Sequence, residues 1–142
     1  IVVDYAHTPD ALEKALTGLK PYCKGKLFCI FGCGGGRDVG KRAQMGSVAE
    51  SLSDQIILTN DNPRYESPEQ IFKNILEGIK NKSNVIVKED RSDALISTFI
   101  EANANDMILF AGKGHEMTQQ IGSTIVPFSD RELAKRLTEE HL

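Results

Sequence analysis

The chain has 142 residues, 40% of them hydrophobic and 26% charged, which fits one ordinary globular domain with a sizeable core. Its formal net charge is −3 with lysines and arginines scattered, which argues against a nucleic-acid surface. Apolar runs such as Leu27–Phe31 are far short of a membrane span, and no signal-peptide pattern opens the chain.

Cys23, Cys29 and Cys33 are odd in number and make no C-x-x-C pair, so a reducing cytoplasm is expected rather than a disulfide framework. With His7, His115 and His141 as the histidines, a zinc site is not expected.

Ile1-Val2-Val3-Asp4-Tyr5 is β-branched and reads as a strand already in progress. Thr8-Pro9-Asp10 then opens a helix, with threonine as N-cap and proline at the first helical position. Ala11, Leu12, Ala15, Leu16 and Leu19 give that helix one apolar face. Lys26–Phe31 is the second strand, ending in Gly32-Cys33-Gly34-Gly35-Gly36-Arg37-Asp38, and Lys41 to about Ser53 is helical with Met45, Val48 and Leu52 inward. Gln55–Thr59 is the third strand. Ser67, Pro68 and Gln70 start a helix in capping-box fashion, striped by Ile71, Ile75, Leu76 and Ile79. A short strand follows at Asn84–Val87, then a helix after Asp90-Arg91, then a fifth strand at Met107–Ala111. Thr118–Phe128 turns near Gly122-Ser123 as a hairpin or edge strand, and a last helix runs from about Asp130 to Glu140.

Strand and helix alternate with short loops, so the expected fold is α/β. It is a three-layer α/β/α, Rossmann-like domain over residues 1–142, with a mostly parallel sheet of about six strands and an antiparallel edge.

The polar, glycine-rich clusters all follow strands: Asp4–His7, Gly32–Asp38, Asp61–Arg64, Asp90-Arg91 and Gly112–Glu116. In a parallel sheet the carboxyl ends of the strands share one edge, where ligands bind. Asp61-Asn62-Pro63-Arg64 is the densest cluster. Pro63 fixes its own φ and holds Asn62 near extended geometry, and Arg64 is suited to gripping a carboxylate or phosphate.

The Gly32–Lys41 stretch imitates two nucleotide motifs and satisfies neither. Arg42 stands where a phosphate loop after Gly35 and Gly40-Lys41 needs Ser or Thr, and Arg37 stands at the last glycine of G-x-G-x-x-G. The expected use of this loop is to let flexible backbone N–H groups and Arg37 approach an anion. Glu116 is placed to accept from an ammonium; His115-Glu116 lacks the second histidine of a zinc-protease helix. Cys33 has no base nearby in sequence, so a thiol nucleophile is a weak alternative.

Asp4-Tyr5-Ala6-His7-Thr8-Pro9-Asp10, the glycine run through Arg37-Asp38, Asp61-Asn62-Pro63-Arg64, Asp90-Arg91 and Gly112-Lys113-Gly114-His115-Glu116 occur in that order. The series resembles the C-terminal domain of a Mur ligase, over nearly the whole chain. The resemblance is to the branch adding the third amino acid to UDP-N-acetylmuramoyl-L-alanyl-D-glutamate in bacterial peptidoglycan synthesis. It implies a cytoplasmic amide ligase that uses ATP and Mg²⁺ to activate the D-glutamate carboxylate as an acyl phosphate, which an amino group attacks. The nucleotide- and UDP-binding domains of such enzymes are not in this chain. The resemblance therefore implies an amino-acid-binding domain that cannot ligate alone, with no catalytic residue, no metal site and no bound cofactor of its own, and with neither nucleic acid nor membrane as partner.

By the same resemblance Arg37, Asp61, Asn62, Arg64, Gly112 and Glu116 hold the incoming amino acid, while Asp4, Tyr5 and His7 lie near the nucleotide. Relatives with Asp-Asn-Pro-Arg generally take meso-diaminopimelate; those taking L-lysine typically lack the arginine. This sequence departs from the family at Gly36, where an acidic residue usually precedes the arginine. Three alternatives stay open: a lysine-adding relative, a folylpolyglutamate-type ligase, and a non-catalytic module that binds an amino acid or nucleotide.

Overall fold

The expected elements form close to their expected places in the computed structural model, which describes residues 1–140; His141 lies outside the described residues. Strand β1 (Val2–Asp4) is followed by α1 (Pro9–Leu19), β2 (Leu27–Phe31), α2 (Gly40–Leu52), β3 (Gln55–Leu58) and α3 (Pro68–Leu76). Then come β4 (Val85–Val87), α4 (Arg91–Glu101), β5 (Met107–Ala111), β6 (Thr118–Ile121), β7 (Thr124–Pro127) and α5 (Asp130–Glu140).

Helix starts follow local chemistry. Thr8 Oγ1 accepts from the Ala11 amide at 3.2 Å, and Asp90 Oδ1 accepts from the Asp93 amide at 3.0 Å. At α3 the Ser67 hydroxyl accepts from the Gln70 backbone amide and donates to the Glu69 carboxylate at 2.7 Å, so the side chain that engages the capping serine is that of Glu69 rather than Gln70. Ile79 is buried as expected but lies beyond the end of α3.

The five parallel strands run in the order β1-β5-β2-β3-β4. Going from β1 to β2, β3 and β4 the chain moves one way across the sheet; from β4 to β5 it reverses. Crossovers of one hand then place α1, α2 and α3 on one face and α4 on the other. The side chains agree. Leu27, Cys29 and Phe31 meet Leu12 and Leu16 of α1, Met45 and Ala49 of α2, and Ile71 and Ile75 of α3. The alternate residues Phe28 and Ile30 meet Ala94 and Leu95 of α4 and Leu133 and Leu137 of α5. β2 is buried at every residue because both faces are covered.

The hairpin departs from expectation. β6 and β7 form a separate two-stranded sheet, so the main sheet has five strands and no antiparallel edge. Gly112 at φ 116° and Gly114 at φ 53° swing the chain off the line of β5, over the ends of the strands rather than along an outer edge.

Candidate functional site

At the carboxyl ends of β1, β5, β2 and β3 lies a cleft of about 340 Å³. Arg37, Asp61, Asn62, Arg64, Gly112 and Glu116 all line it, together with Tyr5 and His7. The expected site residues thus converge, with one exception. Asp4 does not line the cleft: its carboxylate caps the Ala6 amide at 2.8 Å, and its carbonyl accepts from Gly112. Tyr5 on the rim contacts the rings of His7 and His115 in tilted geometry, at 4.5 and 5.3 Å between centroids.

The Asp61–Arg64 loop is held more tightly than proline alone would hold it. Asn62 Oδ1 accepts from the Lys113 ammonium at 3.0 Å and from the Gln120 amide at 2.9 Å. The Asp61 carbonyl accepts from Gln119 Nε2 at 2.8 Å. Arg64 has φ 55°, the one non-glycine residue in the left-handed region among the described residues. Its Nη1 donates to the Gly35 carbonyl at 3.0 Å, while Nε and Nη2 have no partner among the described residues. One nitrogen of the guanidinium is anchored on the protein, and Arg64 lines the cleft.

The glycine loop is more constrained than expected, since two of its amides are engaged within the protein. Its Gly35 amide donates to the Asn62 carbonyl at 2.8 Å, and its Gly36 amide donates to Glu66 Oε1 at 3.0 Å. Arg42, fully buried, holds the Gly34 carbonyl through Nη2 and binds the Glu66 carboxylate with both terminal nitrogens. The loop lies so close to the neighbouring one that a Cβ at Gly35 would collide with the Pro63 carbonyl. With those amides engaged and Arg42 at the position of a phosphate-loop hydroxyl, this loop does not fit a bound triphosphate. What it presents is Arg37, exposed on the rim. Gly36 sits at φ 67°, so the departure from the family pattern coincides with a left-handed turn; the Arg42–Glu66 pair sets the loop's orientation instead.

Electrostatics support that division. Arg42 first, and the Gly36 amide second, hold the Glu66 carboxyl down at about 2. Burial pushes the Cys33 thiol up to about 12, so it is no thiolate and no nucleophile at neutral pH.

Beneath the cleft, a lysine has a role that sequence reasoning missed. Lys113 is fully buried, with its ammonium 3.5 Å from Glu116 Oε1 and 3.9 Å from Asp61 Oδ1. It anchors both acidic residues of the site and the Asn62 amide. Gly112 makes the arrangement possible, since a Cβ there would stand 2.7 Å from Asp61 Oδ2. The available signal was a lysine flanked by glycines at the end of a strongly apolar strand.

Comparison with known proteins places this geometry. The family described as Mur ligase, glutamate ligase domain matches residues 1–114. The chain belongs to this family. It is 60% identical over 136 residues to the UDP-N-acetylmuramoyl-L-alanyl-D-glutamate–2,6-diaminopimelate ligase of Coxiella burnetii, a match covering 96% of this chain and 28% of that protein. To the enzyme of that name from Haemophilus influenzae (strain Rd) it is 54% identical over 134 residues, 94% of this chain and 28% of that one. A solved structure of such a ligase superposes with a TM-score of 0.90 at 42% identity, over 99% of this chain and 29% of the other. The chain therefore spans under a third of the length of these Mur ligases. An Escherichia coli FolC structure in complex with ADP, at 23% identity and a TM-score of 0.58, shares the fold alone.

One strand-end cluster serves the Mur ligase fold rather than the cleft. Arg91 is fully buried, donating to Asp130 from Nε at 2.9 Å and from Nη2 at 2.6 Å. Nη1 reaches the Asn60 carbonyl and Nη2 the Ala111 carbonyl, each at 3.0 Å, and the guanidinium lies 4.4 Å from the Phe110 ring centroid. Asp90 is a helix cap. The Asp90-Arg91 cluster thus ties together the ends of β3 and β5 from behind and does not itself meet a ligand.

Proposed function

We propose that residues 1–142 form the amino-acid-binding domain of an ATP-dependent ligase that adds meso-diaminopimelate to UDP-N-acetylmuramoyl-L-alanyl-D-glutamate in peptidoglycan synthesis. The observation that carries this reading is that charged groups of both signs line one small cleft. Arg37, Lys41 and Arg64 line it together with Asp38, Asp61 and Glu116. Such a cleft suits a ligand bearing both carboxylates and ammonium groups, and its volume is at the lower end of the roughly 300–1,000 Å³ typical of small-molecule sites. Meso-diaminopimelate carries two groups of each sign. Arg64 takes its distal carboxylate, and Glu116 with Asp61 takes an ammonium.

The names of the relatives support the same reaction, and the length missing from this chain is where the remaining machinery resides. In the full-length enzyme ATP with Mg²⁺ supplies activation of the D-glutamate carboxylate; the residues of this domain bind and orient the incoming amine. Tyr5 and His7 on the rim are positioned to face the nucleotide side. The isolated domain is inactive. The enzyme works in the bacterial cytoplasm, where ATP and the UDP-linked acceptor are found.

The test joins the chain to its native upstream sequence and measures ADP release with the dipeptide acceptor and either meso-diaminopimelate or L-lysine. The expected result is strong preference for meso-diaminopimelate and no turnover by residues 1–142 alone. Equal use of the two amino acids, or preference for lysine, would overturn the assignment to Arg64.

A further inference from the structure

Arg64 is an L residue in a backbone region that L residues rarely occupy, and its neighbours show what keeps it there. Its amide donates to the Gln120 carbonyl at 3.2 Å, and its carbonyl accepts from the Gly122 amide. Arg64 and Ile121 form an isolated parallel bridge. Both backbone groups of the arginine are therefore taken by β6 and its turn. The same strand holds Asn62 through the Gln120 amide and Asp61 through Gln119 Nε2. The common family match ends at residue 114, and every one of these supports lies after it.

We propose that the β6–β7 hairpin is the specificity-determining support of the amino-acid site, fixing the left-handed backbone of Arg64 and so the direction of its open guanidinium edge. This rests on the function proposed above. The family core supplies the loop that carries the arginine; the segment beyond it decides how the arginine points. Since a guanidinium grips a carboxylate in a planar, two-bond geometry, a change in backbone φ at Arg64 alters the fit to the second carboxylate more than any other contact. Neither Gln119 nor Gly122 lines the cleft, so both are positioning residues.

The hairpin turn offers a clean perturbation. Gly122 has φ 61° and an added Cβ would meet no atom within 4 Å, so a substitution there acts first through the turn conformation. In the full-length enzyme, Gly122→Val is expected to raise KM for meso-diaminopimelate about tenfold, and Gln119→Met about fivefold, with the KM for ATP and for the dipeptide acceptor within about twofold of wild type. The preference for meso-diaminopimelate over L-lysine should fall in parallel. Parallel movement of all three KM values would mark the hairpin as a general structural element and overturn the proposal. So would a diamino-acid KM that stays at the wild-type value. If Gly122→Val fails to accumulate as folded protein, Gln119→Met carries the same two outcomes alone. Wild-type enzyme that rejects meso-diaminopimelate would defeat the functional reading; wild-type enzyme that accepts it beside variants with unchanged selectivity defeats only the role of the hairpin.

Discussion

Arg91 and Arg64 both follow a strand at the same edge of the same sheet, yet they do opposite things. Arg91 is sealed from water, paired twice with Asp130, and bonded to the carbonyls of Asn60 and Ala111. It has nothing left to offer a ligand. Arg64 is half-buried, uses one nitrogen on the protein and keeps an edge open, at the expense of an unfavourable backbone angle. A guanidinium whose three nitrogens are all engaged internally is scaffold; one held in strain with donors free is a recognition element.

The comparison can be broken at either end. Asp130→Ala leaves a buried guanidinium unpaired, so the largest effect is expected there: a loss of about 3–5 kcal/mol in urea unfolding. A loss under about 1 kcal/mol would mean that Arg91 is not the tie it is taken to be. Arg64→Ala should invert the pattern. Stability shifts by less than about 1 kcal/mol, while KM for meso-diaminopimelate in the full-length enzyme rises about ten- to a hundredfold, as loss of a charged hydrogen-bonding partner predicts. Unchanged kinetics would make Arg64 a second scaffold arginine.

The third arginine system, Arg42 with Glu66, gives the effect that depends most on pH. Its carboxyl is held at about 2 against an ordinary 4.5, so the unfolded chain binds the proton more readily. The contribution is complete above pH 4.5 and disappears as pH falls towards 2. Wild type should therefore exceed Glu66→Gln in stability at neutral pH, and the gap should close across that acid window. A gap that stays constant down to pH 2 would refute the linkage.

Much of this was legible beforehand. Thr8-Pro9-Asp10 marked a helix start through chemistry confined to one turn, and the alternation of strands with helices foretold a sheet covered on both faces. The convergence of Arg37, Asp61, Arg64, Gly112 and Glu116 followed from parallel strands ending on one edge. What was hidden depends on partners distant in sequence. Arg91 reads as a site residue until Asp130, 39 positions on, closes over it. Lys113 reads as one member of a glycine motif until Asn62, 51 positions back, gives its ammonium a purpose. The glycine loop looked free because its amides are engaged by Asn62 and Glu66, neither of them local. The hairpin was placed at a sheet edge because two left-handed glycines leave no periodic trace.

The order of the strands has a consequence for how the molecule comes into being. β5 is the fifth strand made, yet it sits between β1 and β2 and is the sole partner of β1. A growing chain can pair β2, β3 and β4 as they emerge, but β1 waits until residues 107–111 leave the ribosome. Until then two strand edges with strongly apolar neighbours stand open, which is the state most exposed to aggregation and to capture by chaperones. Any truncation that ends before β5 should therefore yield an insoluble product rather than a smaller domain, even though most of the recognition residues would be present in it.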